Sequence, residues 1–166
     1  MNQVVDTKDP ELKRLLNGLG TVELTAGILQ DPRAGAPAGD HIHDEESGMT
    51  IAELAAIHEF GLGDVPERSF LRAWFDENET RIEALVQNAV RKAMRHNGSL
   101  EAELDRVALV LQADIQARIV AGIPPELEES TKRAKKARSS GPKETPLIDS
   151  GVLKSAISAI AKRVAA

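Results

Sequence analysis

The chain contains no cysteine and no tyrosine, and only one tryptophan and three phenylalanines among its 166 residues. Without cysteine there is no disulfide and no thiolate metal site, and the redox compartment is left open. With aromatics at 2% and apolar residues at 42%, a core must be assembled from Leu, Ile, Val and Ala. Long apolar runs are missing too: none approaches the ~20 residues that cross a bilayer. The start, MNQVVDTKDPELKRLL, lacks the charged-then-apolar order of a signal peptide. The expectation is a soluble protein made in a cytoplasm. An excess of positive charge is also absent. Lys and Arg number 21 against 26 Asp and Glu, a net −5, which argues against a dedicated nucleic-acid binder. Gly61 and Gly63 do not form a GxGxxG loop, and there is no P-loop and no HExxH. Ser69, Ser150 and Ser155 lack the GxSxG setting of an activated nucleophile.

What is present reads as one domain over residues 1–166. Asp9-Pro10-Glu11 opens a helix carrying Leu12, Leu15, Leu16 and Leu19, which Gly18 and Gly20 end. The period then changes. Val22, Leu24, Ala26 and Ile28 alternate with Thr21, Glu23 and Thr25, as in a half-buried strand. Residues 31–48, rich in Pro, Gly and charge, read as a long mobile loop. Thr50 and Glu53 form a capping box for a helix reaching Phe60, and Pro66 to Arg72 reads as extended. Two amphipathic helices follow, about 73–96 and 100–121. Ile82, Leu85, Val86, Ala89, Val90, Ala93 and Met94 form the apolar stripe of the first. Leu100, Leu104, Val107, Ala108, Leu111, Ile115 and Ile119 face inward in the second. Asn97-Gly98 joins them so tightly that they must pack antiparallel. Residues 126–145 are polar and read as an exposed loop. Asp149-Ser150-Gly151 is a turn, with Asp149 accepting backbone N–H bonds and Gly151 supplying an unusual backbone angle. It leads into a closing strand within Leu153 to Val164. The fold class expected is α+β: a small antiparallel or mixed sheet packed against two long antiparallel helices plus shorter ones.

Three groups of residues carry chemistry in principle. His41, His43, Asp44, Glu45 and Glu46 are metal-capable, but no third firm ligand is identifiable and a solvated loop is the preferred reading. His58-Glu59 has the composition of an acid–base dyad, but no nucleophile lies nearby; a histidine packed at a helix C-terminus is preferred. The run Lys132, Arg133, Lys135, Lys136 and Arg138, extended by Lys143, suits phosphate contact but lacks the interleaved aromatics of a stacking platform. Arg68, Phe70 and Arg72 would share one face of a strand. They form either an edge whose arginines pair with Glu67 or Asp76, or a subunit contact, where Arg and aromatics are enriched.

Two segments in order carry more weight than any of these. Ile57-His58-Glu59-Phe60-Gly61 precedes Pro66-Glu67-Arg68-Ser69-Phe70-Leu71-Arg72. After Pro124-Pro125 and Ser130-Thr131-Lys132 comes Pro146-Leu147-Ile148-Asp149-Ser150-Gly151-Val152-Leu153-Lys154-Ser155-Ala156-Ile157. In order and spacing, from about Val22 onward, this resembles the virion-morphogenesis or tail-completion family of tailed bacteriophages. Ser150 stands where that family has Thr. Ala156 separates Ser155 from Ile157 where the family has Ser and Ile adjacent, which bears on the register of the last strand. The resemblance implies a structural, non-enzymatic neck protein of the virion, without cofactor, that completes the tail and joins it to the DNA-filled head. It implies action as a homo-oligomeric ring. Its partners would be connector or adaptor, stopper, and tail terminator or tail tube, with non-specific contact to packaged DNA and no membrane. Phe60, Arg68, Phe70 and Arg72 are the expected fold-and-contact cluster, and the loops 31–48 and 126–145 would order against neighbours. The alternative is a small regulatory nucleic-acid binder using the basic residues of 132–143.

Overall fold

The computed structural model describes residues 20–30, 42–44, 48–95, 98–125 and 151–164. In chain order these form β1 (Thr21–Ile28), β2 (Ile42–Asp44), β3 (Met49–Thr50), α1 (Ile51–Phe60), α2 (Arg72–Arg95), α3 (Leu100–Ala121), α4 (Val152–Ala156) and β4 (Ile157–Val164). The helix expected over 9–19, the basic residues of 132–143 and Asp149 lie outside the described residues.

The fold is α+β. β1 and β4 pair antiparallel over eight positions, from Thr21 opposite Val164 to Ile28 opposite Ile157. The ladder is unbroken, so Ala156 ahead of Ile157 introduces no bulge. Paired residues share a face. Leu24 with Ala161, Ala26 with Ala159 and Ile28 with Ile157 make the apolar face, while Glu23 and Lys162 meet on the other. β2 and β3 form a second, two-stranded antiparallel pair. β2 lies in the stretch expected to be loop and β3 just after it, and strands of three and two residues are too short to show a period.

α3 is the organising element. Ser99 caps it, accepting from the Ala102 N–H at 3.3 Å. All seven residues expected to face inward are buried, Ile115 and Ile119 completely. Two polar side chains on α3 fasten it to the end of the chain. Asp105 accepts the Ala161 N–H at 3.0 Å, and the Gln116 amide donates to the carbonyls of Lys154 and Ile157. α2 lies antiparallel to α3, because Arg118 pairs with Glu77 while Arg81 pairs with Asp114. The expected α2 stripe is only partly buried. Ala89 and Ala93 are buried, and Trp74 joins them from the first turn.

The final apolar stretch divides in two. Leu153 to Ala156 belong to the five-residue helix α4, and only Ile157 onward is strand. Gly151 precedes α4 at φ +76°, the unusual angle expected of it. Pro66 to Leu71 is not a strand, and Arg72 already lies in α2. Arg68, Phe70 and Arg72 therefore do not share a strand face. A single carboxylate is the reason.

Candidate functional site

Ile51, Ala55 and Glu59 sit at i, i+4 and i+8 of α1, and all three are buried. The buried stripe of this helix thus ends in a charge. Glu59 is 5% exposed, a costly position for a carboxylate unless every lone pair is used. Its Oε1 accepts from the Ser69 hydroxyl at 2.6 Å, the Arg72 N–H at 3.0 Å and the Arg72 Nε at 3.2 Å. Its Oε2 accepts from the N–H groups of Phe70 and Leu71, both at 3.0 Å. Ser69 in turn accepts from the Ala73 N–H at 3.0 Å. These are the orphan donors that open α2, so Glu59 caps a helix from another element and lies at its positive end. Burial pushes the Glu59 pKa up, but the Ser69 hydroxyl and the N–H groups of Leu71, Arg72 and Phe70 outweigh it. The carboxyl is held below its ordinary value of 4.5.

The connection between α1 and α2 is shaped to bring these groups together. Gly61 ends α1 at φ +64°, and a Cβ there would lie 2.6 Å from the Glu67 backbone nitrogen. Only glycine accommodates both the angle and the contact. The returning chain is pinned by the Arg68 N–H, which donates to the His58 carbonyl at 2.7 Å. Arg68 itself is 4% exposed, and its Nε donates to the Pro125 carbonyl at 3.0 Å. Burial lowers its pKa. Arg72 grips the turn from the other side, through the Glu59 carbonyl at 3.0 Å and Glu67 at 2.8 Å. Its guanidinium lies 4.6 Å from the Phe60 ring centre.

The clamp thus joins His58-Glu59-Phe60-Gly61, Pro66 to Arg72 and Pro125, three stretches the sequence reading grouped by order alone. The expected residues play unequal parts. Phe70 is 1% exposed and belongs to the core, and Arg68 is buried. Both serve the fold. Phe60 at 53% and Leu62 at 50% exposure face outward, with Arg72 exposed beside Phe60. These three are among the side chains that this corner presents to solvent. Of the pairings expected for the arginines, Arg72 with Glu67 is present, and the partner foreseen least is Glu59. The signal was available: Glu59 continues the Ile51–Ala55 face of α1.

Two further features bear on chemistry. Among the described residues no group of three or more His, Asp or Glu could hold a metal ion. An open groove of about 380 Å³ runs along α2, lined by Phe75, Asp76, Glu79, Ile82 and Glu83. Its three carboxylates make it unsuited to a phosphate. No helix among the described residues is long and apolar enough to cross a membrane. A scan against protein-family models, a search of curated proteins and a search of solved structures each found no match to this chain.

Proposed function

We propose that this chain is a structural component of a tailed-phage neck, which completes the tail and helps join it to the filled head. It acts as a ring of identical subunits beside connector, stopper and tail-terminator or tail-tube proteins. The reading rests on the ordered resemblance described above. The observation that supports it best is the clamp. The residues that carry the resemblance in the first half of the chain come together in one hydrogen-bonded unit around Glu59. Beside that unit, Phe60, Leu62 and Arg72 are exposed as an aromatic, an aliphatic and a cationic side chain. Such side chains are favoured at subunit interfaces.

The mechanism is ordered docking, in which the folded α+β body is presented and its outward corner seats on a neighbour. No bond is made or broken, and no cofactor enters. The test is electron microscopy of lysates from a phage whose copy of this gene is deleted. Filled heads lying beside unjoined tails support the reading. Tails of aberrant length shift it to tail termination, and normal infectious particles overturn it.

A further inference from the structure

The two edges of the β1–β4 sheet are treated differently. On β4, α3 holds outward-facing backbone groups. Asp105 accepts the Ala161 N–H at 3.0 Å, and the Gln116 amide donates to the Ile157 carbonyl at 3.2 Å. β4 also carries Lys162 and Arg163, and such charges blunt an edge against further pairing. The same two bonds fix the phase of the ladder. In an antiparallel pair, residues that exchange both hydrogen bonds alternate with residues whose N–H and C=O point away from the partner strand. Ala161 and Ile157 point away from β1. The residues paired with them, Leu24 and Ile28, therefore point away from β4, and by alternation so do Val22 and Ala26.

β1 thus presents along its far side the N–H and C=O groups of Val22, Leu24 and Ala26, ahead of Gly27, which departs from regular strand geometry at φ +144°. Among the described residues no other strand pairs with β1, and these backbone groups have no hydrogen-bond partner. The strand contains no proline, lysine or bulge, the devices that close an edge. Val22, Leu24 and Ala26 pack against the core yet stay only half-buried. A row of donors and acceptors repeating every ~6.8 Å is matched by one chemical class, an extended polypeptide. The strand already paired with β1 shows which side chains suit it. Ala161 lies opposite Leu24 and Ala159 opposite Ala26 on the core face, and Lys162 lies opposite Glu23 on the other.

We propose that the outer edge of β1 is a docking site for an extended segment of a partner protein, which joins the sheet as an antiparallel third strand with apolar residues on the core face and a cation beside Glu23. An antiparallel strand sets opposite Val22, Leu24 and Ala26 residues whose own N–H and C=O face β1 and whose side chains share the core face. The apolar residues of the segment are therefore the ones that make the hydrogen bonds. The inference does not rest on the neck reading, and its test involves no phage.

The probe is a short capped peptide of alternating valine and threonine with lysine at its centre, and the readout is amide hydrogen exchange of the intact chain by NMR. Peptide at about 1 mM is expected to slow exchange of the Val22, Leu24 and Ala26 amides at least about five-fold. The Glu23 and Thr25 amides, already bonded to β4, should exchange slowly with or without it. N-methylation of the valines should abolish the effect, because it removes the N–H groups that face β1, while N-methylation of the threonines should leave it. Glutamate in place of the lysine should weaken binding several-fold. The proposal is overturned if neither peptide slows these amides, if the N-methylvaline peptide acts as well as the unmodified one, or if protection falls on other amides instead. Equal binding of the glutamate peptide overturns the cation beside Glu23. Two results with the free chain overturn the proposal as well. Protection of the three amides that grows with protein concentration would give the edge to a second copy, and protection already present in dilute solution would mean that the chain covers this edge itself.

Discussion

Glu59 decides more of this structure than any other side chain. It accepts five hydrogen bonds from the start of α2 while almost wholly buried. Glu59→Ala would strand those donors, and a loss of about 3–5 kcal/mol in unfolding free energy is expected from urea titration. Glu59→Gln keeps the shape but loses the charge and turns an N–H₂ toward donors, so a loss of about 1–3 kcal/mol is expected. The same group sets an acid limb. Its folded-state pKa lies below 4.5, so its contribution is complete above the unfolded value and is lost as pH falls through the folded one. Wild-type stability should therefore fall as the pH drops below the ordinary carboxylate value, and Glu59→Gln should flatten that drop. Ser158 is the opposite case. It is fully buried, and its hydroxyl has no hydrogen-bond partner among the described residues. Ser158→Ala removes an unsatisfied group, and the melting temperature should hold or rise, with a gain up to about 1 kcal/mol. The spacing of Ile51, Ala55 and Glu59 placed Glu59 on the buried face of α1, but its hydrogen-bond donors, and the missing partner of Ser158, were not legible from sequence. A carboxylate on a buried helix stripe and a serine in an apolar strand declare themselves only when the donors around them are placed.

At the scale of elements, what was legible followed from short-range chemistry. Thr50 with Glu53 gives the capping box of α1, and Ser99 gives the start of α3. The seven-residue inner face of α3 follows from its period alone. What was not legible depends on distant partners. Leu153 to Val164 is apolar enough to satisfy either period. It becomes helix and then strand because Gln116 holds the carbonyls at the junction while β1 offers a partner only from Ile157 onward. Pro66 to Arg72 read as extended because proline disfavours helix before it, yet the carboxylate of α1 starts α2 at Arg72. The turn between them gives the element-scale prediction. Gly61→Ala combines φ +64° with a Cβ set 2.6 Å from the Glu67 nitrogen. It should cost at least about 2 kcal/mol by denaturant titration, more than the ~1 kcal/mol expected for the angle alone. The same substitution at Gly63, also at positive φ but with open space around it, should cost only that smaller amount.

At the scale of the whole molecule, the described residues pack around one core. α3 lies at its centre, a two-stranded sheet packs on one side, and an aromatic corner is held out by a charged clamp. The central claim is that this body belongs to the neck of a virion. The most direct measurement is gold labelling of a tagged copy in purified infectious particles, viewed by electron microscopy. The account predicts several labels per particle, confined to the junction of head and tail. Label at the distal tail tip, or particles that carry no tagged chain at all, would contradict it.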